Sequence, residues 1–299
     1  MARIGFIGLG NMGFPMAQNL LKAGHAISGF DIDGAARARL AAAGGTVASG
    51  IDAACENAEV VLTMLPSGKE VREVYLGQGG VLASAAKGSL LVDCSTTDVE
   101  SARAVAEAAA LNDLAMVDAP VSGGIAGAQA ATLTFMAGGS TSAFERAKPF
   151  LAAMGKTIVH AGPSGNGQVA KICNNMILGA SMIVVAEAFL LAEKLGLDAQ
   201  TLFDISSRSS GQCWSMTSYC PVPGPVPSSP ANRNYQPGFT AAMMLKDLKL
   251  ARAAATSAGV KTPMGAGACA LYELFVEQGH AATDFSGIIN MLRGEREAA

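Results

Sequence analysis

Read as alternating apolar and polar positions, roughly the first 160 residues break into short apolar runs divided by helical stretches. Arg3–Ile7, Ala26–Asp31, Val60–Met64, Leu90–Asp93 and Met116–Asp118 have strand length, and Leu133–Ala137 and Thr157–His160 read as later strands. Met12–Ala23 reads as the first helix. Strands alternating with helices predict βαβ units and a largely parallel sheet. After Gly162-Pro163 the period changes. Gln168–Leu195 predicts one helix about 40 Å long at 1.5 Å per residue, closed by Gly196. Ala199–Ser206, Ala241–Ala258, Met264–Gln278 and Phe285–Arg293 also carry helical patterns, and no strand follows. The expected architecture is α/β: a doubly wound parallel sheet over 1–164 and an all-α domain over 165–299, joined by the long helix.

Two segments qualify that picture. Met176–Ala192 holds a single charge, Glu187, but falls just short of the 18 or so apolar residues of a membrane span. A central helix covered by neighbours on all sides is the preferred reading. Pro221–Pro237 holds six of the twelve prolines and predicts a long irregular loop, of the kind that is either functional or a surface excursion.

The first strand runs directly into Gly8-Leu9-Gly10-Asn11-Met12-Gly13. Gly8 permits the tight turn, Gly10 lets backbone approach a pyrophosphate, and Gly13 lets the following helix pack closely. The helix start at Asn11, Met12 and Gly13 then presents N–H groups to phosphate. A lone GxGxxG is weak; strand before, helix after and position in the chain all agree here. Asp31 at the end of the second strand adds a carboxylate for the adenosine ribose hydroxyls, which would repel a 2′-phosphate. The cofactor expected on this Rossmann-type domain is therefore NAD. Later strand exits, Met64-Leu65-Pro66 and Cys94-Ser95-Thr96, would face the same crevice or be plain turns.

Net charge is −3 with no basic run, which argues against nucleic acid as a partner. Six scattered cysteines without a C-x-x-C pair and three distant histidines offer no metal spacing and suit a reducing compartment. The N-terminus lacks a signal peptide's long apolar core, so a cytoplasmic setting is expected.

A nicotinamide enzyme needs a proton acceptor beside the carbon that gives up hydride. Lys171, Asn174 and Asn175 stand at i, i+3 and i+4 near the start of the long helix, on one side of it. A desolvated lysine has its pKa pulled down towards that of a general base; an exposed lysine near a helix start is the alternative. Asp118-Ala119-Pro120-Val121-Ser122-Gly123-Gly124 follows a strand and ends in small residues. Consecutive N–H groups at Ser122, Gly123 and Gly124 would cradle a carboxylate, or the glycines are a hinge.

Taken together, GFIGLGNMG (5–13), TMLP (63–66), DCST (93–96), DAPVSGG (118–124), GNGQVAKICNN (165–175) and LKDLKLA (245–251) make the chain resemble the β-hydroxyacid dehydrogenase family over nearly its whole length. The stretches around Ser209–Ser215 and Tyr219-Cys220-Pro221 resemble the branch acting on 3-hydroxyisobutyrate, with Cys220 where relatives commonly have Asn. The resemblance implies NAD-dependent oxidation of a small β-hydroxy acid, with oxidation of L-serine or reduction of tartronate semialdehyde as alternatives; the rival of another class is a non-catalytic NAD-binding interaction protein on the same fold. It implies Lys171 as acid/base, substrate binding by Ser122, Gly123, Gly124 and Asn175, and pocket walls at Trp214 and Phe239. Leu65, Pro66, Thr96 and Lys246 then match cofactor contacts, with Met64 beside them. A homodimer or homotetramer is expected, since apolar helical faces seek partners.

Overall fold

Nine strands form one sheet among residues 1–294, which the computed structural model describes. They are β1 (Arg3–Ile7), β2 (Ala26–Phe30), β3 (Thr46–Val47), β4 (Val60–Thr63), β5 (Leu90–Asp93), β6 (Ala115–Asp118), β7 (Val121–Ser122), β8 (Leu133–Gly139) and β9 (Gly155–Gly162). Their order is β3-β2-β1-β4-β5-β6-β8-β7, with β9 paired to β8. Every neighbour from β3 to β6 is parallel; β8 runs antiparallel to β6 and β7, and β9 parallel to β8. The order reverses between β1 and β4, which is where a doubly wound sheet opens a crevice at its carboxyl edge.

β4 and β5 are buried along their whole length, as strands covered on both faces must be. Side chains alternate between two cores. Val60, Leu62, Leu90 and Val92 pack with Ile4, Phe6 and Leu20 on one side. Val61 and Leu91 pack with Val71, Tyr75 and Val105 on the other. β3 and β7 escape the sequence reading because two residues are too few to express a period of two.

The parallel strands end on buried carboxylates. Asp93 and Asp118 are register partners on β5 and β6. Asp93 accepts from Thr63 Oγ1 at 2.7 Å and from Ser95 Oγ and N at 2.6 and 3.1 Å. Burial outweighs these bonds and raises its carboxyl from 3.8 to about 6. The folded chain therefore holds a proton that the unfolded chain releases between those values, so stability declines as pH rises through that window. Ionising Asp93 in place costs on the order of 2–3 kcal/mol. Asp93→Asn, which cannot ionise, should gain on wild type by about that amount between pH 4.5 and pH 8 in urea unfolding. An unchanged offset at the two pH values would exclude it.

The chain divides into two compact units, Met1–Lys171 and Ile172–Ala299, and the long helix (Asn166–Lys194) runs through the division. In the second unit Met182, Ile183, Met244, Leu248, Tyr272 and Phe285 form one core. Val185, Phe189, Met216, Cys220, Val222 and Val226 form another. The proline-rich segment is thus a packed part of a core. Tyr235 Oη donates to Pro221 O at 2.9 Å and Asn232 Nδ2 to Val226 O at 2.8 Å, tying the loop to itself as an Ω-loop is tied.

By length and apolarity alone the long helix could cross a membrane. Its buried positions Ile172, Asn175, Gly179, Met182, Ile183, Ala186 and Phe189 instead follow the three-and-four spacing of a core-facing stripe. Coverage on all sides is not what is found: Ile177, Val184 and Leu191 are 65%, 51% and 62% exposed. A helix apolar all round gives no sign in sequence of which face stays open.

Candidate active site

The glycine turn at the end of β1 is built as its spacing predicts. Gly8 has φ +93°, and a Cβ there would lie 2.2 Å from Met64 O. A Cβ on Gly13 would lie 1.9 Å from Gly8 O, so only glycine lets the first helix (Gly13–Lys22) start this close to the strand. A Cβ on Gly10 would meet nothing within 4 Å, leaving the backbone open to a ligand. No side chain caps the helix at Met12, and no acid sits in its first turn, as an anion at that terminus requires.

Asp31 follows β2 and accepts from Leu9 N at 2.6 Å and Asp33 N at 2.8 Å. Those bonds orient the carboxylate beside the turn and leave lone pairs for ribose hydroxyls. The residues thus fit a dinucleotide. Leu65 N donates to Ser95 Oγ at 2.8 Å, so the exits of β4 and β5 are joined; Met64, Leu65 and Thr96 are half-buried and Pro66 is exposed.

Ser122 ends β7, and Gly123 and Gly124 follow with φ of +130° and +61°. Two consecutive positive-φ positions favour glycine and turn the chain into a short helix (Gly124–Gln129). Lys171 is buried, at 6% exposure, which removes the exposed alternative.

In the second unit Asn175 is also buried, whereas Asn174 is exposed. Asn175 Nδ2 donates to Asp247 Oδ2, and Asn174 Nδ2 donates to Asn175 Oδ1 at 2.9 Å. Asp247 lies on the helix Ala241–Ser257, is buried, and has Lys246 Nζ 4.0 Å from its Oδ1. Sequence reasoning missed Asp247; its signal was an acid inside LKDLKLA on an otherwise apolar helical face. Trp214 stacks on Tyr219 at 4.9 Å, Tyr219 on Phe285 at 5.3 Å, and Phe239 meets Phe285 edge-on at 5.8 Å. The two predicted wall residues therefore stand at the ends of one aromatic row. Among the described residues no cluster of His, Cys, Asp or Glu could hold a metal.

Comparison with known proteins fits this arrangement. Residues 3–162 match the family described as the NAD binding domain of 6-phosphogluconate dehydrogenase. Residues 165–292 match the NAD-binding domain of NADP-dependent 3-hydroxyisobutyrate dehydrogenase. The chain is 48% identical over 298 residues to the probable 3-hydroxyisobutyrate dehydrogenase of Mycobacterium tuberculosis, covering 100% of both chains. The chain belongs to the β-hydroxyacid dehydrogenase family. Another member, the NAD-dependent L-serine dehydrogenase of Pseudomonas aeruginosa, is 50% identical over 286 residues and 96% of each chain. Among solved β-hydroxyacid dehydrogenases, the Mycobacterium tuberculosis 3-hydroxyisobutyrate dehydrogenase with L-serine superposes with a TM-score of 0.94, covering 98% of this chain and 99% of that one at 48% identity.

Proposed function

We propose that this β-hydroxyacid dehydrogenase oxidises 3-hydroxyisobutyrate to methylmalonate semialdehyde, with Lys171 as acid/base. The observations that carry the reading are a glycine turn built for a dinucleotide, a buried lysine near the start of the long helix and, one turn further along that helix, a buried asparagine that makes two side-chain hydrogen bonds. NAD, when bound, supplies the hydride acceptor. The chain's residues do the rest. Ser122, Gly123 and Gly124 bind the substrate carboxylate through hydroxyl and backbone N–H groups. Neutral Lys171 Nζ takes the hydroxyl proton, and returns it in the reverse direction. Asn175, its amide fixed by Asp247, orients that hydroxyl. Lys246 closes over the cofactor, which Leu65, Pro66 and Thr96 contact from the strand exits.

The second reading is L-serine, favoured by the name of one relative and the ligand of one solved neighbour. The two substrates differ at C2, methyl against ammonium. With Trp214 and Phe239 as walls, an apolar substituent is the better fit, because burying an ammonium without a charged partner is costly. Initial rates of NADH formation across 3-hydroxyisobutyrate, L-serine and other C3–C4 hydroxy acids decide the matter. We expect kcat/KM for 3-hydroxyisobutyrate to exceed that for L-serine at least about tenfold, the worth of about 1.4 kcal/mol. The opposite order would make serine the substrate, and silence with every acid would end the enzymatic reading.

The exposed Ile177, Val184 and Leu191 recur every seven residues on the long helix. That is the spacing at which a helix packs on a second helix, and a second copy of this chain is its proposed partner, in a homodimer or homotetramer. A cytoplasmic setting goes with soluble substrates and NAD.

A further inference from the structure

The buried side chain of Gln168 has no part in the chemistry just described. It is fully buried, three residues before Lys171 and on the same side of the long helix. Its Oε1 accepts from Thr97 N at 3.0 Å and its Nε2 donates to Ser95 O at 2.8 Å. Both partners are backbone atoms of the loop leaving β5, one on each side of Thr96. Ser95 Oγ in turn accepts from Leu65 N and donates to Asp93 Oδ1. One network therefore runs from the proposed cofactor contacts Leu65 and Thr96 to the first turn of the helix that carries the lysine, all within Met1–Lys171.

A second tie holds the same turn. Asp118 accepts from Gly165 N at 2.7 Å and from Gln168 N at 3.1 Å, capping the helix start from the end of β6. The fit there is tight: a Cβ on Gly167 would lie 2.3 Å from Met136 O and 2.6 Å from Asp118 O. With the backbone pinned by Asp118, the Gln168 side chain bridges the helix and the β5 exit.

We infer that Gln168 is a positioning residue, whose amide registers Lys171 against the loop carrying Thr96. The inference rests on Lys171 being the acid/base. Gln168 is suited to the task because a side-chain amide both donates and accepts, and here it does both towards one loop. Methionine has similar length and can do neither. Glutamate keeps the acceptor but, when ionised, presents a second negative oxygen to Ser95 O; once protonated it can donate there as the amide did.

The test is steady-state kinetics of the holoenzyme with 3-hydroxyisobutyrate, NADH affinity by fluorescence, and thermal melting, on Gln168→Met and Gln168→Glu. We expect kcat to fall ~10–100-fold in both, the scale of an ~1 Å misplacement, with NADH Kd held within about threefold by the glycine turn and Asp31. The kcat deficit of Gln168→Glu should shrink as pH is lowered and that of Gln168→Met should not. If both variants keep kcat within about twofold of wild type, or if kcat and NADH affinity fall together in step with melting temperature, the positioning role is overturned. Lys171→Ala run alongside separates the two levels. Normal turnover there refutes the acid/base reading itself, whereas an inactive Lys171→Ala beside wild-type Gln168 variants refutes only the inference about Gln168. If Gln168→Met fails to fold, the pH response of Gln168→Glu decides.

Discussion

Replacing Lys171 with alanine is expected to lower kcat for 3-hydroxyisobutyrate by about 10²–10⁴-fold, the range that a positioned general base contributes. The side chain is buried, so little bulk water stands ready to take over proton removal. Affinity for NADH should be nearly unchanged, because the glycine turn and Asp31 belong to the sheet edge and do not depend on the amine. A loss confined to kcat, carried equally into kcat/KM, is the signature of an interaction made only in the transition state. Lys171→Arg should be as inactive as the alanine variant. A guanidinium keeps the charge but cannot release a proton in this range. A rescue by arginine would mean that Lys171 serves as a fixed cation for the substrate carboxylate.

The second large effect concerns cofactor choice. Wild type should prefer NAD over NADP by about 10²–10³-fold in kcat/KM, since setting a phosphate against a carboxylate costs several kcal/mol and each 1.4 kcal/mol is tenfold. Asp31→Ser should bring that ratio within about tenfold, and raise KM for NAD as the ribose loses its acceptor. Arg37, whose guanidinium lies 5.9 Å from the Phe30 ring centroid beside the end of β2, is then free of the opposing charge and stands ready for the 2′-phosphate. The variant also breaks the bond from Leu9 N to Asp31, so a loosened turn is expected as a modest loss of affinity for both cofactors. The check is paired NAD and NADP kinetics on wild type and variant. An unchanged ratio would show that Asp31 does not read the ribose.

Much of the molecule was legible in its sequence because the deciding features are local. β1 and β5 begin and end where the apolar runs do, and Gly8, Gly13 and Asp31 meet as their spacing predicts, each role being a property of backbone conformation within a few residues. What sequence could not reveal depends on chain segments far apart. Asp247 lies 72 residues from the asparagine it holds, and Gln168 bonds a loop 71 and 73 residues earlier. Neither spacing leaves a periodic trace. The proline-rich segment is the irregular loop its composition announces, but burial of Val222 and Val226 depends on what packs over them. The open face of the long helix was hidden by uniform apolarity. Asp93 and Asp118 read as strand-end polar residues; that they are buried carboxylates, raised to about 6 and about 7 chiefly by desolvation, emerges only from the fold.

The proposed proton transfer requires one nitrogen to sit beside the substrate when both ligands are present. A crystal structure of the protein with NADH and 3-hydroxyisobutyrate measures that directly. Lys171 Nζ should lie about 2.6–3.2 Å from the substrate hydroxyl, with the substrate carboxylate on Ser122, Gly123 and Gly124. A ternary complex in which that amine makes no contact with the substrate, and another group or a solvent channel reaches the hydroxyl, would contradict it.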